Sequence, residues 1–385
     1  MRLFSAKGPP LYATASEFRL AARRWLAGNV PTEPPPADGP EQRAFVLAWQ
    51  RRQAEGGWAG ISWPGDFGGR GASVLEQIIW YEEYARAGAP SPLDASFVGL
   101  NHAGPTLMAC GTPDQKARHL PPILKGQVIW CQGFSEPGAG SDLAGIKAKA
   151  RIEGDHLIVN GQKIWTSFAD IADFQELLVR TGAGDKPSAG LTWVICPMDT
   201  PGITVRPIRT MAGPRKYCEV FYDDVRIPLS NVVGGVGNGW ATAMSTLAFE
   251  RGTASLALLI GLTLTVERLL TDCDVDRAAL RARLAQLRAE GAALRAMAYR
   301  LALESADSVP DAGGSMVRVG FAEFAQRVTA AAMDLYGLDA PGVVGAHGLA
   351  HAYLDAFSET IAGGTAEIQR NIIGERLLGL PKGPR

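Results

Sequence analysis

Residues 130–168, WCQGFSEPGAGSDLAGIKAKARIEGDHLIVNGQKIWTSF, carry two signals in one run. The first half is a loop of small residues, Ser135-Glu136-Pro137-Gly138-Ala139-Gly140-Ser141-Asp142. The second half alternates. Ala148, Ala150 and Ile152 interleave with Lys147, Lys149, Arg151 and Glu153, the period of a half-buried strand. Gly154-Asp155 turns the chain, Leu157 and Val159 alternate on the return, and Asn160-Gly161 is a strong hairpin signal. Strand-like runs follow at 176–181, 191–197, 202–208 and 218–226, separated by Gly, Pro and Asp clusters. Roughly 129–230 therefore reads as an antiparallel β domain. Within it, Gly138 and Gly140 let backbone N–H groups approach a ligand, because no Cβ intervenes. Ser135, Ser141, Thr166 and Ser167 offer hydroxyls, and Trp165 offers a flat surface suited to a ring system. These residue types suit a polar, planar, multi-ring ligand; the competing reading is a Gly-rich turn followed by an ordinary hairpin.

On either side the period is helical. Residues 14–28 place Phe18, Ala21, Ala22 and Trp25 at helical spacing, and a second helix covers roughly 41–55 beyond the Pro-rich stretch 31–40. Residues 58–71 (WAGISWPGDFGGRG) are too punctuated for either period. Ser73 with Glu76, and Thr112 with Gln115, are capping boxes that open two more helices. Beyond Gly239, Leu280, Leu284, Leu287, Gly291, Leu294, Ala298 and Leu301 form a heptad seam suited to a bundle. Arg281, Arg288 and Arg295 recur beside it and read as a solvated face. Further helices are expected over 315–336 and from Thr365 to about Leu378. The plan is α+β: an N-terminal helical domain (1–128), a middle antiparallel β domain (129–232) and a C-terminal helical bundle (233–385). No βαβ alternation or G-x-G-x-x-G after a strand occurs, which disfavours a Rossmann site.

Composition narrows the function. The chain has 385 residues, 20% charged, with a formal net charge of -1, so nothing points to a nucleic-acid partner. The longest apolar run, 254–262, is about half a membrane span, and the N-terminus lacks the apolar region of a signal peptide. Five scattered cysteines without a C-x-x-C pair suit reduced thiols in the cytoplasm. His347 and His351 share an i,i+4 spacing, but no Glu follows the first and Gly348 lies between them, so no metal site is expected. Neither a nucleophile elbow nor a P-loop is present. Glu250, in the apolar segment 244–250 followed by Arg251, is a candidate for a desolvated base; a salt bridge or helix-surface charge is the alternative. Glu359, flanked by Ser358 and Thr360, reads as structural.

These segments resemble the acyl-CoA dehydrogenase family of flavoproteins over nearly the whole chain. Trp63-Pro64-Gly65-Asp66-Phe67-Gly68-Gly69 is similar to the family's N-terminal loop. Residues 134–142 (FSEPGAGSD) and 160–167 (NGQKIWTS) resemble its two flavin segments, and 364–370 (GTAEIQR) its C-terminal motif. The resemblance implies FAD between the middle domain and the C-terminal helices. It assigns Gln132, Phe134, Ser135, Gly140, Ser141, Trp165, Thr166, Ser167, Thr365 and Glu367 to the cofactor. Ser141 and Arg251 would hold the acyl-CoA. The implied reaction is α,β-dehydrogenation of the thioester: a carboxylate takes the α-proton while the β-hydrogen passes as hydride to flavin N5. An electron-transfer flavoprotein or similar acceptor is implied downstream.

Three departures matter. Many members carry the catalytic Glu directly before the G-T of the last motif, where this chain has Gly363; its N–H remains available to the thioester oxygen. A minority branch takes the base from an E-R dipeptide on the helix opening the C-terminal domain, which Glu250-Arg251 matches. The segment whose Arg reaches a neighbour's FAD is replaced by 274–284 (DVDRAALRARL), and the Q-x-x-GG-x-G segment by 334–340 (DLYGLDA), which puts Asp334 where a pyrophosphate would lie. Some bacterial relatives, notably in steroid side-chain degradation, work as heteromeric pairs with incomplete flavin sites in one subunit, and this chain resembles that group. A homo-oligomer, a heteromer with a related chain, and a non-catalytic partner subunit are all consistent with these departures.

Overall fold

The structure, a computed structural model, describes residues 14–250, 253–304, 313–337 and 348–382, the side chains of 250 and 302–304 excepted. Helix α1 (Ala15–Asn29) starts at a Thr14/Glu17 capping box and buries Phe18, Ala22 and Leu26. After α2 (Gly39–Glu55), the loop over 58–71 turns inward. Trp63 is 1% exposed, and a Cβ on Gly69 would stand 2.2 Å from its backbone oxygen, so only glycine fits there. Helices α3 (Val74–Arg86) and α5 (Pro113–Leu124) open at the Ser73/Glu76 and Thr112/Gln115 boxes read from the sequence. A π-type turn (Gly99–Ala103) leads into α4 (Gly104–Cys110) between them. Trp58 stacks on Trp80 at 4.6 Å, with Trp25 about them and Trp49 beside Trp25, forming the core of this helical unit.

The strands are β1 (Trp130–Gly133), β2 (Lys149–Glu153), β3 (His156–Ser167), β4 (Phe174–Arg180), β5 (Leu191–Pro197), β6 (Ile203–Ile208), β7 (Tyr217–Pro228) and β8 (Val232–Val233). They form one sheet in the order β6-β7-β3-β2-β4-β5-β8, with β1 alongside β4. Pairing is antiparallel except that β1 runs parallel to β4 and one parallel bridge joins Lys149 to Arg180. Asn160-Gly161 is not a turn: β3 continues through it. Asn160 Oδ1 accepts from Asp224 N (3.0 Å) and its Nδ2 donates to Asp224 Oδ1 (2.8 Å), clasping β3 to β7. The register shifts there, and Gly161 at φ 145° passes so close to Ala148 that a Cβ would meet its Cα at 2.7 Å. The residue pair that makes tight turns here makes a bulge.

Helices α6 (Gly239–Glu250), α7 (Ser255–Asp272), α8 (Ala278–Glu304), α9 (Gly313–Tyr336), α10 (Leu349–Asp355) and α11 (Ala366–Ile372) complete the chain. Leu284, Leu287 and Leu294 of the seam are buried against Leu259, Ile260 and Val266 of α7 and Phe321, Phe324 and Val328 of α9. The last helix is shorter than expected, passing into a π-type turn over Ile373–Leu377. The arginine row is not merely solvated. Arg281 donates to Cys273 O (2.6 Å) at the C-terminus of α7, Arg288 pairs with Glu267 (2.7 Å), and Arg295 reaches Glu82 on α3 (2.7 Å). Glu82 and Glu83 are 1% and 3% exposed and also take Arg19 and Arg86; Glu83 takes Arg23 as well. This cluster ties α1 and α3 to α8. Among the described residues, no helix is long and apolar enough to cross a membrane.

Candidate active site

The loop after β1 and the far end of β3 are held side by side. Ile164 N donates to Ser135 O (2.9 Å), and Glu136 and Ala139 exchange both backbone hydrogen bonds (3.0 Å each), closing a tight turn. That turn lifts Pro137, Gly138, Gly140 and Ser141 into solvent, and a Cβ on either glycine would meet nothing within 4 Å. On β3 a second bulge, between Lys163 and Thr166, puts Trp165 at φ 60° and leaves its indole 56% exposed, edge-on to Tyr217 at 6.0 Å. A non-glycine residue held in the left-handed region is strained, and such strain concentrates at functional sites. Ser167 lies beside it, half-buried and opposite Tyr217.

Not every expected contact is available. Phe134 is 4% exposed, with its ring in the core beside Trp63, and its carbonyl already accepts from Lys163 Nζ (3.0 Å). Thr166 is fully buried opposite Cys218. Both side chains are turned into the protein, so at these two positions it is the main chain that lies nearest the open face. The Gln132 amide turns inward, donating to Glu176 Oε1 (2.8 Å) 3.2 Å from His102 Nδ1. Thr365 caps α11, its hydroxyl accepting from Ile368 N (3.2 Å), and Glu367 sits in the helix's first turn.

The C-terminal helices close the site from the other side. His351 Nδ1 meets Ala212 O at 2.9 Å, and Phe168 N donates to Lys216 O (2.9 Å), so α10 rests on the loop that carries Lys216 and leads into β7 at Tyr217. Burial opposes the charge on Lys216, but Tyr217, Asp355 and Glu359 outweigh it and hold its ammonium above the ordinary lysine range. Gly363 has φ 63° and its carbonyl accepts from Gln369 Nε2 (2.9 Å); Glu359 is ion-paired with Arg318 (2.8 Å). Between α3, α7, α9 and the turn after α10 lies a cleft of ≈ 360 Å³, bordered by Ala85, Ala89, Ala257, Gly261, Phe321 and Glu359. Glu250 ends α6 in its backbone; its side chain, and all of Arg251, lie outside the described residues, as does His347. Among the described residues no group of His, Cys, Asp and Glu could hold a metal ion.

Sequence reasoning passed over Lys163 and Glu136. Lys163 Nζ is fully enclosed and donates to Glu136 Oε1 (2.8 Å). A signal existed: Lys163 shares the odd-numbered parity of Leu157 and Val159, an inward position by strand alternation.

The donor set fits a flavin: an outward indole, serine hydroxyls at 135, 141 and 167, and unobstructed glycine N–H groups. Comparison with known proteins agrees. Sequence profiles described as the N-terminal, middle and C-terminal domains of acyl-CoA dehydrogenase match residues 13–127, 131–225 and 237–378. The chain is 40% identical over 383 residues to acyl-CoA dehydrogenase IpdE1 of Mycobacterium tuberculosis, covering 95% of this chain and 98% of that one. Among solved structures, the Tcur3481-Tcur3483 steroid ACAD is similar with a TM-score of 0.85 at 30% identity, over 97% of this chain and 99% of that one. The ChsE4-ChsE5 complex from Mycobacterium tuberculosis is similar with a TM-score of 0.80 at 31% identity, over 97% and 99%.

Proposed function

The chain belongs to the acyl-CoA dehydrogenase family, and from that premise we propose that Glu250 is the base of an FAD-dependent α,β-dehydrogenation. The observation that carries the reading is the strained, outward Trp165 beside the open loop at 138–141, edge-on to Tyr217, with α10 resting on the loop just before Tyr217. Trp165, Ser167, Ser135, Gly140 and Ser141, with the main chain of Phe134 and Thr166 and the C-terminal Thr365 and Glu367, would hold the cofactor. FAD, when bound, supplies the two-electron acceptor. Glu250 takes the α-proton of the thioester, and the N–H of Gly363 stabilises charge on its carbonyl oxygen. Ser141 and Arg251 hold the acyl-CoA, and the alanine-floored cleft beside α7 takes the acyl group. The product is the 2-enoyl thioester; the electrons go on to an electron-transfer flavoprotein or similar carrier. We divide the chain at 128/129 and 232/233 and place it in the cytoplasm. A Glu250→Gln variant should keep its FAD and lose at least about a hundredfold in turnover, as removal of a general base does; full activity would remove the assignment. A panel of linear, branched and polycyclic acyl-CoA thioesters, followed by loss of flavin absorbance, tests the acyl class.

A second reading is favoured by the two segments that depart from the family. Their described parts, 274–284 and 334–337, are folded onto each other: Arg277 donates to the carbonyls of Asp334 (2.7 Å) and Leu335 (3.0 Å), Arg283 pairs with Asp334, and Tyr336 donates to Asp272 just before the first segment. Arginines engaged with their own helix ends are not extended toward a neighbour's cofactor. In this reading the chain pairs with an unlike, related chain that supplies the missing contacts. Expression alone giving a colourless protein that FAD cannot reconstitute would support it; a yellow, active homo-oligomer would refute it.

A further inference from the structure

We propose that the buried Lys163–Glu136 pair is a strut that fixes the two flavin-facing segments relative to one another, and so governs how tightly FAD is held. It rests on the assignment of 132–141 and 165–167 to the flavin. Lys163 Nζ donates to Glu136 Oε1 (2.8 Å) and to Phe134 O (3.0 Å). The same carboxylate accepts from Lys147 N (2.6 Å) and Ala148 N (2.9 Å). One enclosed pair thus joins three stretches of backbone: the start of the loop, the entry to β2, and β3 two residues before Trp165. No described side chain besides these two spans that gap through a charged contact.

Stability does not account for a lysine here. Burial pushes its ammonium down to about 8, although the charge and hydrogen bond of Glu136 work the other way. The folded chain therefore holds this proton less tightly than the unfolded chain does. Stability rises as pH climbs from about 8 toward the ordinary lysine value of 10.5. Replacing both members by uncharged residues of similar length would fold about as well, as is common for buried ion pairs, whereas removing the lysine alone leaves the Glu136 carboxylate buried without its partner. What the uncharged pair cannot do is tie Phe134 O and the loop to β3 through a charged contact. The other titratable groups facing the pair are Tyr222 on β7 and, behind it, Cys131 on β1 and Cys196 on β5. Burial raises all three, Cys196 to about 12, so they stay neutral through the relevant range. Glu176 on β4 lies beyond, facing Cys131, Gln132 and His102.

The experiment titrates FAD into the full chain, with any partner that co-purifies, from about pH 6.5 to about 10. Flavin fluorescence reports the dissociation constant and circular dichroism the thermal midpoint. For the wild type, the constant should be flat at low pH and rise about tenfold per pH unit above about 8, while the midpoint does not fall between about pH 8 and 9, before the buried thiols, held neutral by the fold, begin to lower it. Lys163→Met should weaken FAD about tenfold or more at neutral pH with a flat pH profile, but it strands Glu136 and lowers the midpoint; Lys163→Met with Glu136→Gln removes both charges and should weaken FAD as much with a midpoint near wild type. Glu136→Gln leaves the lysine without its carboxylate, so its weakening should set in at lower pH; it carries the test if the methionine variant fails to fold. FAD affinities within about threefold of wild type, with its pH dependence retained, would overturn the proposal. Trp165→Ala separates the two layers. If it binds FAD like wild type, the flavin assignment falls and the strut with it; if it alone weakens binding, only the strut falls.

Discussion

Glu82→Gln should loosen the N-terminal helices from the C-terminal bundle. The carboxylate is 1% exposed and sits 2.7 Å from Arg295, 2.9 Å from Arg19 and 3.6 Å from Arg86. Removing one partner of a buried pair typically costs about 3–5 kcal/mol, because the other charge is left without compensation. Here the arginines are 32–42% exposed and can turn partly into water, so a cost at or below the bottom of that range, about 2–3 kcal/mol, is expected. For 385 residues the unfolding entropy is roughly 0.8 kcal/mol/K, so a cooperative melt should shift down by about 3–4 °C. Burial opposes the charge on Glu82, but hydrogen bonds from Tyr299 and Arg19 and the charges of Arg295 and Arg86 hold its carboxyl below the ordinary 4.5. A depressed carboxyl contributes stability above its unfolded value and loses it as pH falls through the folded one. The gap between wild type and variant should therefore be full at neutral pH and close below about 4.5. Thermal melts at several pH values measure this, and a double-mutant cycle with Arg295→Met isolates the pair. A variant melting within about 1 °C of wild type, or a cycle additive to about 0.5 kcal/mol, would refute the reasoning.

Two further outcomes follow from individual positions. Gly161→Ala must move Ala148, whose Cα would lie 2.7 Å from the new Cβ, and adopt φ 145°; a loss of about 2 kcal/mol or more is expected, and an unchanged melting midpoint would contradict the bulge. Burial raises the Asp94 carboxyl to about 6 against the hydrogen bonds from Ser96, so the fold favours the protonated form and stability falls as pH rises from about 4 through 6. Asp94→Asn should then raise the midpoint at about pH 8 and leave it unchanged at about pH 4; equal effects at both would count against it.

What the sequence disclosed and what it withheld separate by range. The capping boxes at Ser73 and Thr112 are local: donor, acceptor and helix start lie within four residues, and the structure has both. The alternation at 147–153 and the Leu280–Leu301 seam are periodic, and both elements form. Asn160-Gly161 failed as a turn because its partner, Asp224, is 64 residues away and wins the backbone. Arg295 looked solvated because Glu82 is invisible from its own helix. Among the expected flavin residues, Trp165 and Ser141 are exposed, whereas Phe134 and Thr166 are buried. For Thr166, strand parity cannot foresee that, since the bulge between Lys163 and Thr166 changes which side chains face out; Phe134 follows β1 and is drawn into the core that contains Trp63, a contact far away in the sequence.

The indoles of Trp25, Trp49, Trp58 and Trp80 lie 4.6–6.1 Å from their neighbours in one cluster, Trp58 and Trp80 only 10° from parallel. Chromophores so close share excitation, so this part of the molecule should show a coupled near-ultraviolet dichroism signal that isolated tryptophans lack. The chain thus carries a label-free optical probe of its N-terminal helices, one that would vanish when they separate even while the sheet remains intact.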